Sequence, residues 1–212
     1  MFDSILKGLF LGFSAYAVGK CMDMFISVTS LIEVERNIPI LYSLGKKKIK
    51  ENLLIISPIV YSFVDKYLLD HYTKFIDIKK VVLLLLVHHI GYYVMHKVMH
   101  KVSSFKCFHL LHHEFDFYMV PSIGNAVSNE EFLMAYVSPF VIGAYLLKPN
   151  EATFIIPIMI ISVFNNVIHC KEFEHIRWSK YLVSPAQHLE HHRIRNKHYS
   201  APLLNLDYFL EK

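Results

Sequence analysis

The 14 histidines of this chain are concentrated rather than scattered. Most stand in four places: HKVMH from His96 to His100, HLLHH from His109 to His113, a lone His169, and HLEHH from His188 to His192. Neutral imidazole is the commonest side-chain ligand for transition metals. In a helix, residues four apart share a face, so His96 and His100 can aim at one ion, and HxxHH offers donors at i, i+3 and i+4 together. Asn165 lies four residues before His169, which brings its amide oxygen within reach of the same place, directly or through water. The three boxes alone supply eight imidazoles, His96, His100, His109, His112, His113, His188, His191 and His192. That is too many for one tetrahedral zinc ion and matches two ions with open positions. Imidazole does not choose among zinc, copper, iron and nickel. A carboxylate di-iron bundle would need a Glu-x-x-His pattern from each of two helices, and the sequence has a single one, Glu172 to His175. HLEHH sets Glu190 between histidines rather than directly after the first, so the zinc hydrolase motif H-E-x-x-H is not matched either.

The elements that must carry these boxes are apolar. Of 212 residues, 54% are hydrophobic and 19% charged, with a mean hydropathy of +0.34, which suits a bilayer better than water. The length fits one domain over residues 1–212. The net charge of +4 sits in clusters between apolar runs, as membrane flanks do, and gives no sign of nucleic-acid binding. Cys21, Cys107 and Cys170 form no paired framework and fit a reducing face. The opening residues lack a basic leader and an obvious cleavage site, and read as a helix.

Five segments could enter a membrane: Ile5 to Ile32, Leu53 to Leu69, Val81 to Met95, Phe132 to Leu147 and Ala152 to Ile168. The first carries Lys20 and Asp23 and a small-residue face of Gly8, Gly12, Ala15 and Gly19 suited to close packing. The second contains Pro58 and ends in Asp65 and Lys66, so its apolar core is short and crosses only in part. The last two form a hairpin through Lys148, Pro149 and Asn150. Counting positive charge places Arg36, Lys46, Lys47, Lys48, Lys50, Lys97, Lys101, Lys106 and the basic residues from Lys171 to Lys212 in the cytosol, and Lys74, Lys79, Lys80 and Lys148 opposite. All four histidine groups then fall on one side. The expected fold class is all-α, an integral membrane helical bundle with a cytosolic helical cap carrying the histidine boxes.

From about Val81 to the C-terminus, the order of features resembles the fatty acid hydroxylase and sterol desaturase superfamily of membrane di-iron enzymes. That order is HxxxH after a membrane helix, HxxHH shortly downstream, a two-helix hairpin, a lone His, then Pro185 and a last HxxHH, approached through Trp178 to Pro185. The resemblance implies that His96, His100, His109, His112, His113, Asn165, His169, His188, His191 and His192 hold two iron ions. It also implies O2 as co-substrate and a fatty acyl or sterol-like lipid as the molecule hydroxylated or desaturated. Lys97 and His89 stand where many members have Arg and Asp, and His198 where many have Asn. The closing stretch is reduced to NLDYFLEK. His89 and His198 are therefore candidates for orienting ligands. No GxGxxG fingerprint and no haem-binding module is visible, so electrons would come from a separate carrier, a b-type cytochrome or ferredoxin system. The membrane would be the endoplasmic reticulum in a eukaryote or the inner membrane in a bacterium.

Other polar residues read more plainly. His71, His88 and His175 are expected to be hydrogen-bonded structural residues. Glu114, Asp116, Glu172, Glu174 and Glu190 read as surface charges or imidazole orienters, and Tyr92, Tyr93, Phe115, Phe117 and Tyr118 as membrane-interface packing. Two other classes remain open: a metal-handling membrane protein, which would need polar residues through the bilayer midplane, and an inactive relative acting as a lipid-binding or scaffold protein.

Overall fold

Small residues at helical spacing set the first contact of the fold. A computed structural model describes residues 2–210, in which α1 (Phe2–Phe25) buries Gly8, Gly12, Ala15 and Gly19 on one face. A Cβ at Gly12 would collide with the Leu53 carbonyl, and one at Gly8 would meet Pro58 and Tyr61. The partner of α1 is one long bent rod. It comprises α3 (Pro39–Glu51), a π turn (Asn52–Ile56) and α4 (Ser57–Tyr67). Pro58 lies in the first turn of α4, and the wider π turn before it accommodates the donor that proline lacks.

The charges inside α1 face the protein. Asp23 is wholly buried; it pairs with Lys20 at 2.8 Å and accepts from the Ser122 backbone N–H at 2.9 Å. The expected run to Ile32 is interrupted. The amides of Ile26 and Ser27 close back on the Met22 carbonyl, the Ser27 hydroxyl bonds Glu172, and a separate helix α2 (Val28–Asn37) follows. The side-chain tie to Glu172 fixes the turn there.

Among the described residues, four helices are long and apolar enough to cross a membrane: Phe2–Phe25, Ile78–Lys101, Asn129–Leu147 and Glu151–Ile168. The segment read from Leu53 to Leu69 is not among them, because the apolar part of its rod lies between the basic residues Lys46 to Lys50 and the charged pair Asp65 and Lys66. Helix α5 (Ile78–Lys101) is capped by Asp77 and continues beyond the expected Met95, so the HKVMH box lies on its last turns. Its neighbour is α7 (Asn129–Glu131) with a π turn and α8 (Ser138–Leu147), followed by α9 (Glu151–Ile168). The hairpin between them forms as expected: Lys148 takes the left-handed conformation with φ 44°, and the Asn150 side chain caps α9 by accepting from Thr153 N–H.

Hydrogen bonds show which ends meet. At the hairpin end, Lys7 reaches Glu151, the Asp70 N–H donates to Pro149, the Asn150 amide to the Phe75 carbonyl, and Lys80 to the Lys148 carbonyl. At the other end, Asp23 holds Ser122, Asn52 holds the Val127 carbonyl, and Lys48 reaches Asn129. The cap there contains α6 (Ser103–Glu114), α10 (Pro185–Ile194), α11 (Leu206–Leu210) and short 3-10 turns. Among the described residues there is no strand, only an isolated bridge between Leu182 and Leu204. Cysteines introduced at Lys47 and Lys106 are expected to label from one side of the membrane and cysteines at Lys74 and Lys148 from the other. Labelling of Lys47 and Lys148 from the same side would contradict this arrangement. Lys212, expected with the first pair, lies outside the described residues.

Candidate metal centre

Helix α5 brings His96 and His100 to the cap, α6 brings His109, His112 and His113, the end of α9 brings His169, and α10 brings His188, His191 and His192. Their donor nitrogens gather into two groups. The first comprises His96, His100, His109, His113 and His191; the second comprises His112, His169, His188 and His192. Within each group the donors lie within 4.8 Å of one another, and each group could hold a metal ion.

The HxxHH boxes do not act as single clamps. Positions i and i+4 join one group while i+3 joins the other, so His112 leaves His109 and His113, and His191 leaves His188 and His192. Successive side chains are about 100° apart around a helix, so i+3 and i+4 point to adjoining sides of the axis. Each cap helix thereby spans both groups.

The donors are spaced as ligands are. Neighbouring Nε2 atoms are 2.8–3.4 Å apart. Nitrogens bound at about 2.0–2.1 Å to one ion and set at right angles would be roughly 3 Å apart. The tautomers agree with this. The Nδ1–H of His96 donates to the Tyr199 carbonyl, that of His169 to the Asn165 carbonyl and that of His191 to the Lys197 carbonyl, at 2.6–2.7 Å. His109 Nδ1 meets the buried Glu131 carboxylate at 2.7 Å. In each the Nε2 lone pair is left facing its group, and His191 Nε2 has no hydrogen-bond partner at all. The Nδ1 atoms of His112, His113, His188 and His192 are also buried without partners. Each such orphan costs about 1–3 kcal/mol, which binding of an ion must outweigh.

Burial, reinforced by repulsion among neighbouring imidazoles, holds His112, His188 and His192 well below the usual histidine range. His169 is lowered to about 4 by burial, against the opposing hydrogen bond to Asn165. Rings in this state are neutral at physiological pH, as metal ligands must be.

The remaining sequence candidates lie around these groups. The Asn165 side-chain N–H donates to the Gly124 carbonyl and to Asn125, while its backbone carbonyl orients His169. A side chain at Gly124 would overlap the His169 ring. His198 lies in neither group and meets Glu190 at 3.1 Å, and the same carboxylate binds Lys197. His89 is buried with neither ring nitrogen hydrogen-bonded and lies in neither group. His71 bonds the Asp65 carbonyl as a structural residue should, and His175 is exposed. His88 differs from expectation: it is fully buried, yet neither nitrogen makes a hydrogen bond.

Reading the sequence missed the groups that orient the rings. Glu131 was detectable only as a carboxylate at the mouth of an apolar run, and the three carbonyls carry no residue signature. The return of the chain after α10 positions two of them. Arg195 and His198 adopt φ values of 64° and 60°, and Asp207 accepts from the N–H groups of Tyr199 and Ser200. Replacing Glu131 with Ala frees the His109 ring and is expected to weaken metal binding by about 10–100-fold, measured by competition with a chelator. Glu190→Ala, beside His198, should change it little. Equal affinities for wild type and Glu131→Ala would refute the orienting role.

The family model described as fatty acid hydroxylase matches residues 81–211. No curated protein and no solved structure matches the chain. The matched stretch contains every histidine of both groups and covers more than half of the sequence. On that match, the chain belongs to the fatty acid hydroxylase family.

Proposed function

We propose that this protein is a membrane oxygenase that hydroxylates or desaturates a lipid, fatty acyl or sterol-like, using O2, two iron ions and electrons from a separate carrier. The observation that carries this reading is the convergence of nine imidazoles, eight buried and His100 half-buried, into two groups at one end of a membrane bundle. Two irons held there would supply the oxidising power for an unactivated C–H bond. In hydroxylation, one oxygen atom enters the C–H bond and the other leaves as water, with two electrons and two protons taken up. In desaturation, two hydrogens leave the lipid and, with two further electrons and two protons taken up, both oxygen atoms become water.

The chain's own residues have distinct tasks in this scheme. The nine histidines would hold two metal ions, and Asn165 would add a donor to the second group, which has four imidazoles against five. Glu131 and the carbonyls of Tyr199, Lys197 and Asn165 keep the rings in one tautomer. His198 acts one step further out through Glu190. The helices exclude water and offer the lipid an entry from the bilayer. A cavity of about 310 Å³, lined by His100, His109, His113, Lys106 and Arg195, reaches the first group from the basic end. It suits electron delivery by a b-type cytochrome or ferredoxin. The positive charge at this end supports a cytosolic orientation, and in this reading residues 1–212 act as one unit.

A metal-handling role would want polar groups along the membrane depth, whereas these gather at one end. An inactive relative would have little need to gather nine rings and orient four of them by hydrogen bonds. Purified protein is expected to contain about two irons per chain, and His112→Ala and His191→Ala, one from each group, about one. A single metal in the wild type would refute the dinuclear reading. Lipid mass spectrometry of cells expressing wild type should show a lipid gaining one oxygen or losing two hydrogens. Both variants should lack that product while remaining in the membrane, and His71→Ala should retain it.

A further inference from the structure

A cavity of about 110 Å³ lies between α1, the Asn52–Tyr67 rod, α5, the Asn129–Leu147 helix and α9. No charged side chain lines it, and its walls include Leu53, Val64, Phe140 and Phe154. Along α9 the lining runs from Phe154 to Asn165, about 16 Å at the helical rise. The Asn165 end adjoins the second group, through the carbonyl that holds His169.

Helix α5 contributes one residue to this lining, His88. Its ring is fully buried, 4.4 Å from the Phe140 ring, and neither nitrogen has a hydrogen bond; the Tyr136 backbone stands beside it without bonding geometry. The Tyr136 hydroxyl, in the same lining, is also shut off from solvent and unbonded, with the Tyr92 side chain alongside. On α5, His88 is about 12 Å from His96 along the helix axis. Buried polar groups without partners are rare in folded proteins, and an imidazole needs both a donor and an acceptor satisfied. A plain methyl end would leave both groups unpaired. A carboxylate would be buried with no counter-charge, which is costlier still. A neutral oxygen can both accept and, as a hydroxyl, donate.

We propose that this cavity binds a lipid that carries a hydroxyl or ketone oxygen, held by His88 and Tyr136, with its apolar remainder lying along the cavity whose Asn165 end adjoins the second histidine group. The proposal rests on the lipid-oxidation reading only in taking this occupant to be the substrate. The binding itself requires no metal.

The test compares 1-dodecanol, dodecane and dodecanoate as ligands of the purified full-length protein in detergent, with affinities taken from shifts in the thermal unfolding midpoint. Wild type should bind the alcohol roughly five- to tenfold more tightly than the alkane, as one net hydrogen bond allows. The carboxylate should bind no better than the alcohol. His88→Phe should reduce the alcohol preference to near unity, and Tyr136→Phe should reduce it in part. Tyr136→Phe carries the test alone should His88→Phe not fold. Equal affinity for alcohol and alkane, a preference that survives these substitutions, or strongest binding of dodecanoate would overturn the proposal; equal affinity would point to water as the partner of His88. Failure here leaves the metal content of the wild type untouched, and loss of metal in the box variants leaves the alcohol preference intact, so the two readings fail separately.

Discussion

Two imidazoles that have each committed the Nδ1 proton to an oxygen can face one another only lone pair to lone pair. His96 and His109 do so at 2.9 Å, with Tyr199 and Glu131 on their far sides. In water such a pair would separate or share a proton. Here burial keeps the rings apart from water and disfavours protonation. The arrangement is repulsive until a cation lies between the nitrogens, and attractive once one does. The rest of the protein consists of whatever holds these rings, and the others of the two groups, in place.

That requirement explains several features of the bundle. The rings come from α5, α6, the end of α9 and α10, so the membrane helices must return an even number of times for their ends to meet. The Lys148–Asn150 hairpin supplies that return, and its left-handed residue and Asn150 cap make it tight. The α1 contact through Gly12 and the buried Lys20–Asp23 pair extend the same end of the bundle, because Asp23 grips Ser122 in the turn that precedes Gly124 and its close approach to His169. Charges that would be expensive in a bilayer are thus located where the cap covers them.

Much of this was legible in the sequence because box spacing and hydropathy each report a single helix. HKVMH, HLLHH and HLEHH identified their rings, and apolar runs located the two hairpin helices to within three residues. The division of the boxes between two groups was less legible. The sequence shows i, i+3 and i+4 on one side of a helix, but whether the third ring serves the same ion depends on where the next helix stands. The orienters were hidden for a different reason. Tyr199, Lys197 and Asn165 act through backbone carbonyls, which every residue has, and only the fold selects among them. The end of α1 at Phe25 was hidden too, since apolar composition continues through Ile26 and the bond that turns the chain comes from Glu172, far along the sequence.

The two groups are also unequal, and the inequality has a direction. The first has five imidazoles, the Glu131 carboxylate behind it and a cavity at the basic end of the protein. The second has four imidazoles and adjoins the apolar cavity through Asn165. An ion in the first would have more fixed donors and a polar approach, while an ion in the second would have fewer fixed donors and a dry neighbour. On the proposed reading, electrons arrive on the side of the first group and the lipid on the side of the second. His112 and His191, the two rings exchanged between the cap helices, tie the groups together, so the placement of one ion constrains the ligands of the other. A chain with two independent metal sites would not need that exchange; one in which both centres act on a single O2 molecule would.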